Sequence, residues 1–184
     1  MYLLHSPLSL NRMNPAIRHP VLVRIVRVEE SSWREVAQVR LRALRESPET
    51  FGATLERELL FTEKHWRMRL RATPTWLAFD DEDVPRGLVS MMQEPGSPED
   101  DRHVVSLWVA PEARRHGVAW ALLDAVKAAA AEEDARTVSL WVLDGNTPAG
   151  DLYVRAGFAR TGERQRLPRD PELVEERYQL LLRP

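Results

Sequence analysis

Two hydrophobic rhythms alternate along this chain. Val23-Arg24-Ile25-Val26-Arg27-Val28 repeats at every second residue, as a half-buried strand does, and Ser31 or Ser32 stands where a helix cap belongs. Trp33, Ala37, Leu41 and Leu44 then share one helical face. Pro48 to Thr54 interrupts the rhythm, after which Leu55, Leu59, Trp66 and Leu70 predict a second amphipathic helix. Trp76–Phe79 and Gly87–Met92, joined by the acidic turn Asp80–Asp83, predict an antiparallel hairpin, with a polar loop from Glu94 to Arg102. Next come a strand at Val104–Val109, a turn at Ala110–Ala113 and an alanine-rich helix from Val118. Val138–Leu143 reads as a strand, Thr147 as the cap of a short helix with Pro148 in its first turn, and Gly157 as the left-handed residue that stops it. After the turn-rich Leu167-Pro168-Arg169-Asp170-Pro171, Arg177–Leu182 predicts the last strand. The order β, α, α, β, β, β, α, β, α, β, β is an α/β plan.

At 184 residues the chain suits one domain with room for a real core, and 43% hydrophobic residues exclude a disordered chain. Residues 1–20 carry three prolines and no periodicity, which predicts a flexible extension before a domain over 21–184; Met13 is a conceivable alternative start. A formal net charge of −2 marks no nucleic-acid surface. The chain has no cysteine, which removes disulfides, thiolate metal sites and a cysteine acyl-enzyme, and fits a reducing cytoplasm. Five scattered histidines lack metal-ligand spacing, so no metal is expected. The opening residues make a poor secretory signal, and no stretch is long enough to span a bilayer. A cytoplasmic protein without a membrane partner is the expectation.

The most informative stretch is Arg114-Arg115-His116-Gly117-Val118-Ala119, where strand, turn and helix meet. A helix leaves its first amides unpaired and its dipole positive there, so a phosphate can be held by backbone alone. Gly117 and the small Ala119 permit close approach, and the two arginines can add charge-assisted hydrogen bonds. No Gly-Lys-Ser/Thr and no Gly-x-Gly-x-x-Gly accompanies the turn, so the ligand is neither ATP nor NAD. Further on, Asn146-Thr147-Pro148-Ala149 leads to Leu152-Tyr153 and Gly157-Phe158, which puts Tyr153 on a short helix beside a strand.

Together the two segments resemble the GNAT superfamily of N-acetyltransferases, with its Arg/Gln-x-x-Gly-x-Gly/Ala turn and its later Asn-x-x-Ala, Leu-Tyr and Gly-Phe. The resemblance covers roughly Val21 to the end and is strongest from Ser106 to Phe158. It implies a mixed, mostly antiparallel central sheet flanked by helices and splayed where acetyl-CoA binds. It also implies transfer of the acetyl group to a primary amine by direct attack in a ternary complex. By the same resemblance Leu107 and Val109 pair with the pantetheine arm, and Arg114, Arg115, His116, Gly117, Val118 and Ala119 surround the pyrophosphate. Asn146 lies near the cofactor or, equally, caps the next helix.

Acyl transfer makes three demands. The oxyanion needs a fixed donor, for which the Val109 N–H is the family-like candidate; the departing thiolate needs a proton, and Tyr153 matches the family's general acid. The plainer reading of Tyr153 is a packed aromatic. The amine must also lose a proton, and where some family members carry a glutamate this chain has His103, a base or merely a solvated strand histidine. Glu94, Glu99, Asp100 and Asp101 are fallback carboxylates. On the acceptor side, Phe51, Trp66 and Trp108 can form an apolar wall and Glu56 can attract a cationic amine; alternatively Phe51 and Trp66 are core and Glu56 is solvated. The acceptor is left open between a small amine, an antibiotic, a polyamine and a protein N-terminus. The apolar Leu180-Leu181-Leu182 would suit a sheet edge shared in a homodimer. A different reading of the whole chain is a GNAT-like module that binds acyl-CoA to regulate a partner, with little turnover.

Overall fold

A computed structural model describes residues 23–167 and 169–182; the proposed extension, residues 1–20, lies outside them. The elements are β1 (Arg24–Val28), α1 (Trp33–Glu46), α2 (Leu55–Leu59), α3 (Glu63–Ala72), β2 (Thr75–Phe79), β3 (Pro85–Met92), β4 (Asp101–Val109), α4 (Val118–Glu132), β5 (Thr137–Leu143), α5 (Thr147–Arg155), β6 (Ala159–Leu167) and β7 (Asp170–Leu181). Seven strands form one sheet in the order β1-β2-β3-β4-β5-β7-β6. Every neighbouring pair is antiparallel except β4 and β5, which the crossover through α4 makes parallel.

The core forms where helices cover the sheet. Leu122, Leu123 and Val126 of α4 are fully buried with Leu77, Val89 and Val138 of the strands. On α1 the buried face is Val36, Ala37, Val39, Ala43 and Leu44, while Trp33 and Leu41 are only partly covered. Arg40 lies in that apolar stripe and is buried. Its guanidinium donates to both oxygens of Glu58 (Nε–Oε2 3.0 Å, Nη2–Oε1 2.9 Å), and Arg69 joins the same carboxylate at 3.2 Å. Removing one partner from such a buried pair strands a charge, which typically costs about 3–5 kcal/mol. Burial works to raise the Glu58 carboxyl, but Arg40 and then Arg69 outweigh it and hold it below its ordinary value.

Two expectations are corrected. The single helix expected from Leu55 to Leu70 is two, because the backbone N–H of Thr62 donates to His65 Nδ1 (3.0 Å) and the pair forms a capping box that starts α3 afresh. The polar loop after β3 ends at Asp100, since β4 already begins at Asp101. Leu180 and Leu181 pair with Val138 and Thr137 of β5, while the pairing of β7 with the outermost strand β6 stops at Gln179.

Candidate functional site

The parallel strands β4 and β5 pair only at Asp101↔Thr137, Arg102↔Val138 and His103↔Ser139. Each stays zipped to its outer neighbour much further, β4 to β3 as far as Gly87↔Val109 and β5 to β7 as far as Leu143↔Glu175. A wedge therefore opens between Leu107–Val109 and Trp141–Leu143. Its cause is a bulge: Ser90 faces Val105 and Leu88 faces Trp108, so Ser106 and Leu107 stand opposite Val89 alone. Ser106 takes φ +61°, and its hydroxyl accepts from Arg40 Nη1 (3.4 Å) and Arg69 Nη2 (3.5 Å), tying the bulge to the helices.

The wedge is one end of a cleft of about 570 Å³ that runs to the N-terminus of α4. Ala110 N–H donates to Arg86 O at 2.7 Å, so alternation along β4 turns the N–H and C=O of Val109 away from β3 and toward the cleft. The Val109 carbonyl accepts from Arg114 Nε at 3.0 Å, which fixes that peptide and commits Arg114 to positioning it. Beyond it, Arg115 (φ +65°) and Gly117 (φ +82°) are both left-handed, a backbone geometry that gathers N–H groups on a concave side. No side chain caps α4, and a Cβ built on Gly117 would meet nothing within 4 Å. Unpaired amides, an open cradle and exposed arginines fit a diphosphate, as expected of this turn. Val118 and Ala119 line the cleft; His116 does not, and its Nδ1 is buried without a partner among the described residues.

Facing β4 across the cleft is α5. Asn146, not Thr147, is its N-cap: the Asn146 side chain accepts from Ala149 N–H at 3.3 Å, while the residue also lines the cleft. Gly157 ends the helix at φ +95°. Gly150 lets the helix settle on Tyr178, whose hydroxyl would lie 3.1 Å from a Cβ there. Tyr153 reaches the cleft, held by edge contacts with Phe158 (ring centroids 5.8 Å apart) and Tyr178 (6.4 Å). Burial pushes its phenol above the ordinary value, so it keeps its proton at neutral pH.

Phe51, Trp108 and Trp141 add aromatic rings to the lining. Of the residues expected on the acceptor side, Phe51 and Trp108 are in the lining; Trp66 is buried in the core outside it, and Glu56 is exposed on α2 and outside it. The carboxylates that line the cleft are Glu49, exposed at the rim, and the half-buried Glu175. Sequence reasoning missed Glu175, since nothing local connects β7 with the wedge.

His103 lies below the wedge, in its zipped part. It is 4% exposed and outside the cleft lining, with Nδ1 3.0 Å from Ser139 Oγ. Around it Asp101 accepts from Thr137 Oγ1 (2.6 Å), Ser139 Oγ (2.6 Å) and Arg177 Nη2 (3.0 Å), and Arg177 Nη1 meets Glu94 at 3.2 Å. Burial lowers the His103 pKa, against the charges of Glu94 and Asp101 and with that of Arg177. This buried cluster clamps β4 to β5 and leaves His103 without access to the cleft. Among the described residues no group of three or more His, Asp or Glu side chains could hold a metal, and no helix is long and apolar enough to cross a membrane.

Residues 38–158 match the model of the acetyltransferase (GNAT) family. No curated protein matches the chain. Among solved structures it is similar to a GNAT-family acetyltransferase from Streptococcus pneumoniae, at 18% identity over 88% of this chain and 100% of that one, with a TM-score of 0.75. It is also similar to a GCN5-related N-acetyltransferase from Kribbella flavida (21% identity, 87% and 98% covered, TM-score 0.68). A third is a GNAT-family acetyltransferase from Staphylococcus aureus Mu50 (17%, 88% and 100%, TM-score 0.66). These likenesses extend the fold over almost the whole described chain.

Proposed function

The chain belongs to the acetyltransferase (GNAT) family, whose members use acetyl-CoA generally, and from that premise we propose that it acetylates a primary amine by direct attack in a ternary complex. The observation that carries the reading is the splay of β4 from β5, which ends against the uncapped N-terminus of α4 with Tyr153 facing it across the same cleft.

Acetyl-CoA supplies the acetyl thioester, and the chain's residues do the rest. The first-turn amides of α4 and the turn from Arg115 to Ala119 hold the diphosphate, with Arg114 and Arg115 adding charge at its edge. Leu107 and Val109 offer main-chain groups to the pantetheine arm. The N–H of Val109 faces the carbonyl oxygen as it gains charge, and one such fixed donor is worth about 3 kcal/mol. Tyr153 donates its proton to the departing sulfur. With reference pKa values near 10 for a phenol and about 8.5 for a thiol the transfer is uphill by about 2 kcal/mol, and the burial that raises the Tyr153 phenol adds to this, so it is coupled to cleavage of the carbon–sulfur bond rather than preceding it.

The test is calorimetric binding of acetyl-CoA together with free-thiol release across a panel of primary amines. Tyr153→Phe is expected to keep its affinity within about twofold and to lose roughly 10²-fold or more in turnover, the usual scale of a general acid. Full turnover by that variant removes the tyrosine from the mechanism; failure of acetyl-CoA to bind removes the reading itself.

A further inference from the structure

The charged side chains that line the cleft are Arg114, Arg115 and Arg155 and the two carboxylates Glu49 and Glu175. Three aromatic rings of the lining each already carry a guanidinium: Arg40 lies 4.6 Å from the Phe51 ring centroid, Arg42 5.5 Å from Trp108 and Arg177 5.5 Å from Trp141. Those arginines are in turn neutralised by carboxylates, Arg40 by Glu58, Arg42 by Glu46 and Glu112, and Arg177 by Asp101 and Glu94. The rings thus present an apolar wall rather than a cage for a cation.

Glu175 is different. It pairs across the sheet with Leu143, level with the open part of the wedge. Its Oε1 accepts from Gln165 Nε2 at 2.7 Å, and among the described residues it forms no ion pair. Resting on the acetyltransferase reading above, we propose that Glu175 receives the ammonium group of the acceptor and takes its proton, and that the acceptor is a primary amine carried as a cation on an apolar body lodged against Phe51, Trp108 and Trp141. A half-buried carboxylate without a cation is a standing demand for one.

Burial is the main influence on this carboxyl and raises its pKa; the Gln165 hydrogen bond works against it and the charge of Glu94 adds to it. Glu94 is itself paired with Arg177 at 3.2 Å, and Arg177 also meets Glu163 at 3.7 Å. The protons balance. The ammonium gives one to Glu175, which passes it to solvent, and the freed lone pair forms the nitrogen–carbon bond as the carbon–sulfur bond breaks. The second proton leaves nitrogen as the amide forms and replaces the one Tyr153 lends to sulfur, so amide, thiol and one released proton are the products.

Binding to the full chain tests this without turnover, with phenylethylammonium and its neutral counterpart phenylethanol as probes. Wild type is expected to hold the cation about tenfold more tightly, the size of one charge-assisted hydrogen bond, and Glu175→Gln to abolish the preference while binding acetyl-CoA unchanged. Where an amine is acetylated, the same variant is expected to lower kcat/KM for the cationic amine at least tenfold and to spare a low-pKa amine that is already neutral. No preference for the cation in wild type, or a preference that survives Glu175→Gln, overturns the proposal. If acetyl-CoA itself fails to bind, the underlying reading has failed instead; if it binds while the amine result is negative, only the role of Glu175 falls.

Discussion

Strands β4 and β5 meet at one end and part at the other, and the two ends are made of opposite materials. At the closed end Asp101 accepts from Thr137, Ser139 and Arg177, and His103 leans on Ser139, so polar side chains are paired in a space where Asp101 and Ser139 are fully buried. At the open end the strands bring Leu107, Val109, Val142 and Leu143 to the cleft, and the groups kept for a ligand are the Val109 N–H, the first turn of α4 and, on β7, the Glu175 carboxylate. The closed end spends its hydrogen bonds within the protein, whereas the open end keeps them for a ligand. A sheet can tolerate the second arrangement because the first prevents the strands from peeling apart altogether.

Breaking the closed end is expected to have the largest effect. Asp101→Ala leaves two hydroxyls and the Arg177 guanidinium without their acceptor, and a loss of about 3–5 kcal/mol is expected in urea unfolding. A loss below about 1 kcal/mol would mean that the clamp is decorative.

Disturbing the seam between β3 and β4 comes next. A Cβ at Gly87 would lie 2.9 Å from the Trp108 carbonyl oxygen and 3.2 Å from Leu122 Cδ1, so Gly87→Ala must push β4 toward the wedge. About 1–3 kcal/mol of stability should be lost, with a fall in acetyl-CoA affinity measured by calorimetry. Unchanged affinity despite the lost stability would show that the width of the wedge does not control binding.

The open end sharpens the contrast with the smallest effect. Gly117→Ala meets no atom, so only the left-handed backbone strain of about 1–2 kcal/mol applies, and acetyl-CoA affinity should fall a few-fold while the melting curve moves only slightly. A collapse as large as that of Asp101→Ala would contradict the difference between the two ends.

What was legible in the sequence was local. Gly117 before an alanine-rich helix, and Tyr153 between Asn146 and Gly157, announce their geometry within a few residues of themselves. His103 is placed by its distance along the chain from Arg114 and Glu56 by its charge, and neither signal sees a bulge at Ser106 or which turn of a helix is covered. Glu58 had a readable signal: Arg40 interrupts the apolar stripe of α1 among Val36, Val39 and Ala43, and a buried arginine requires a carboxylate from elsewhere. Glu175 had none. Its place depends on β7 inserting between β5 and β6, a choice made by the whole sheet and not by the residues around position 175.

The Ser106 hydroxyl touches two arginines that share one carboxylate, each from a different helix. The gap between the strands is therefore geared to the helical layer: whatever widens it must also drag α1 and α3. Substitutions on the far side of those helices, remote from any reacting atom, then become dials for how firmly the enzyme grips its thioester.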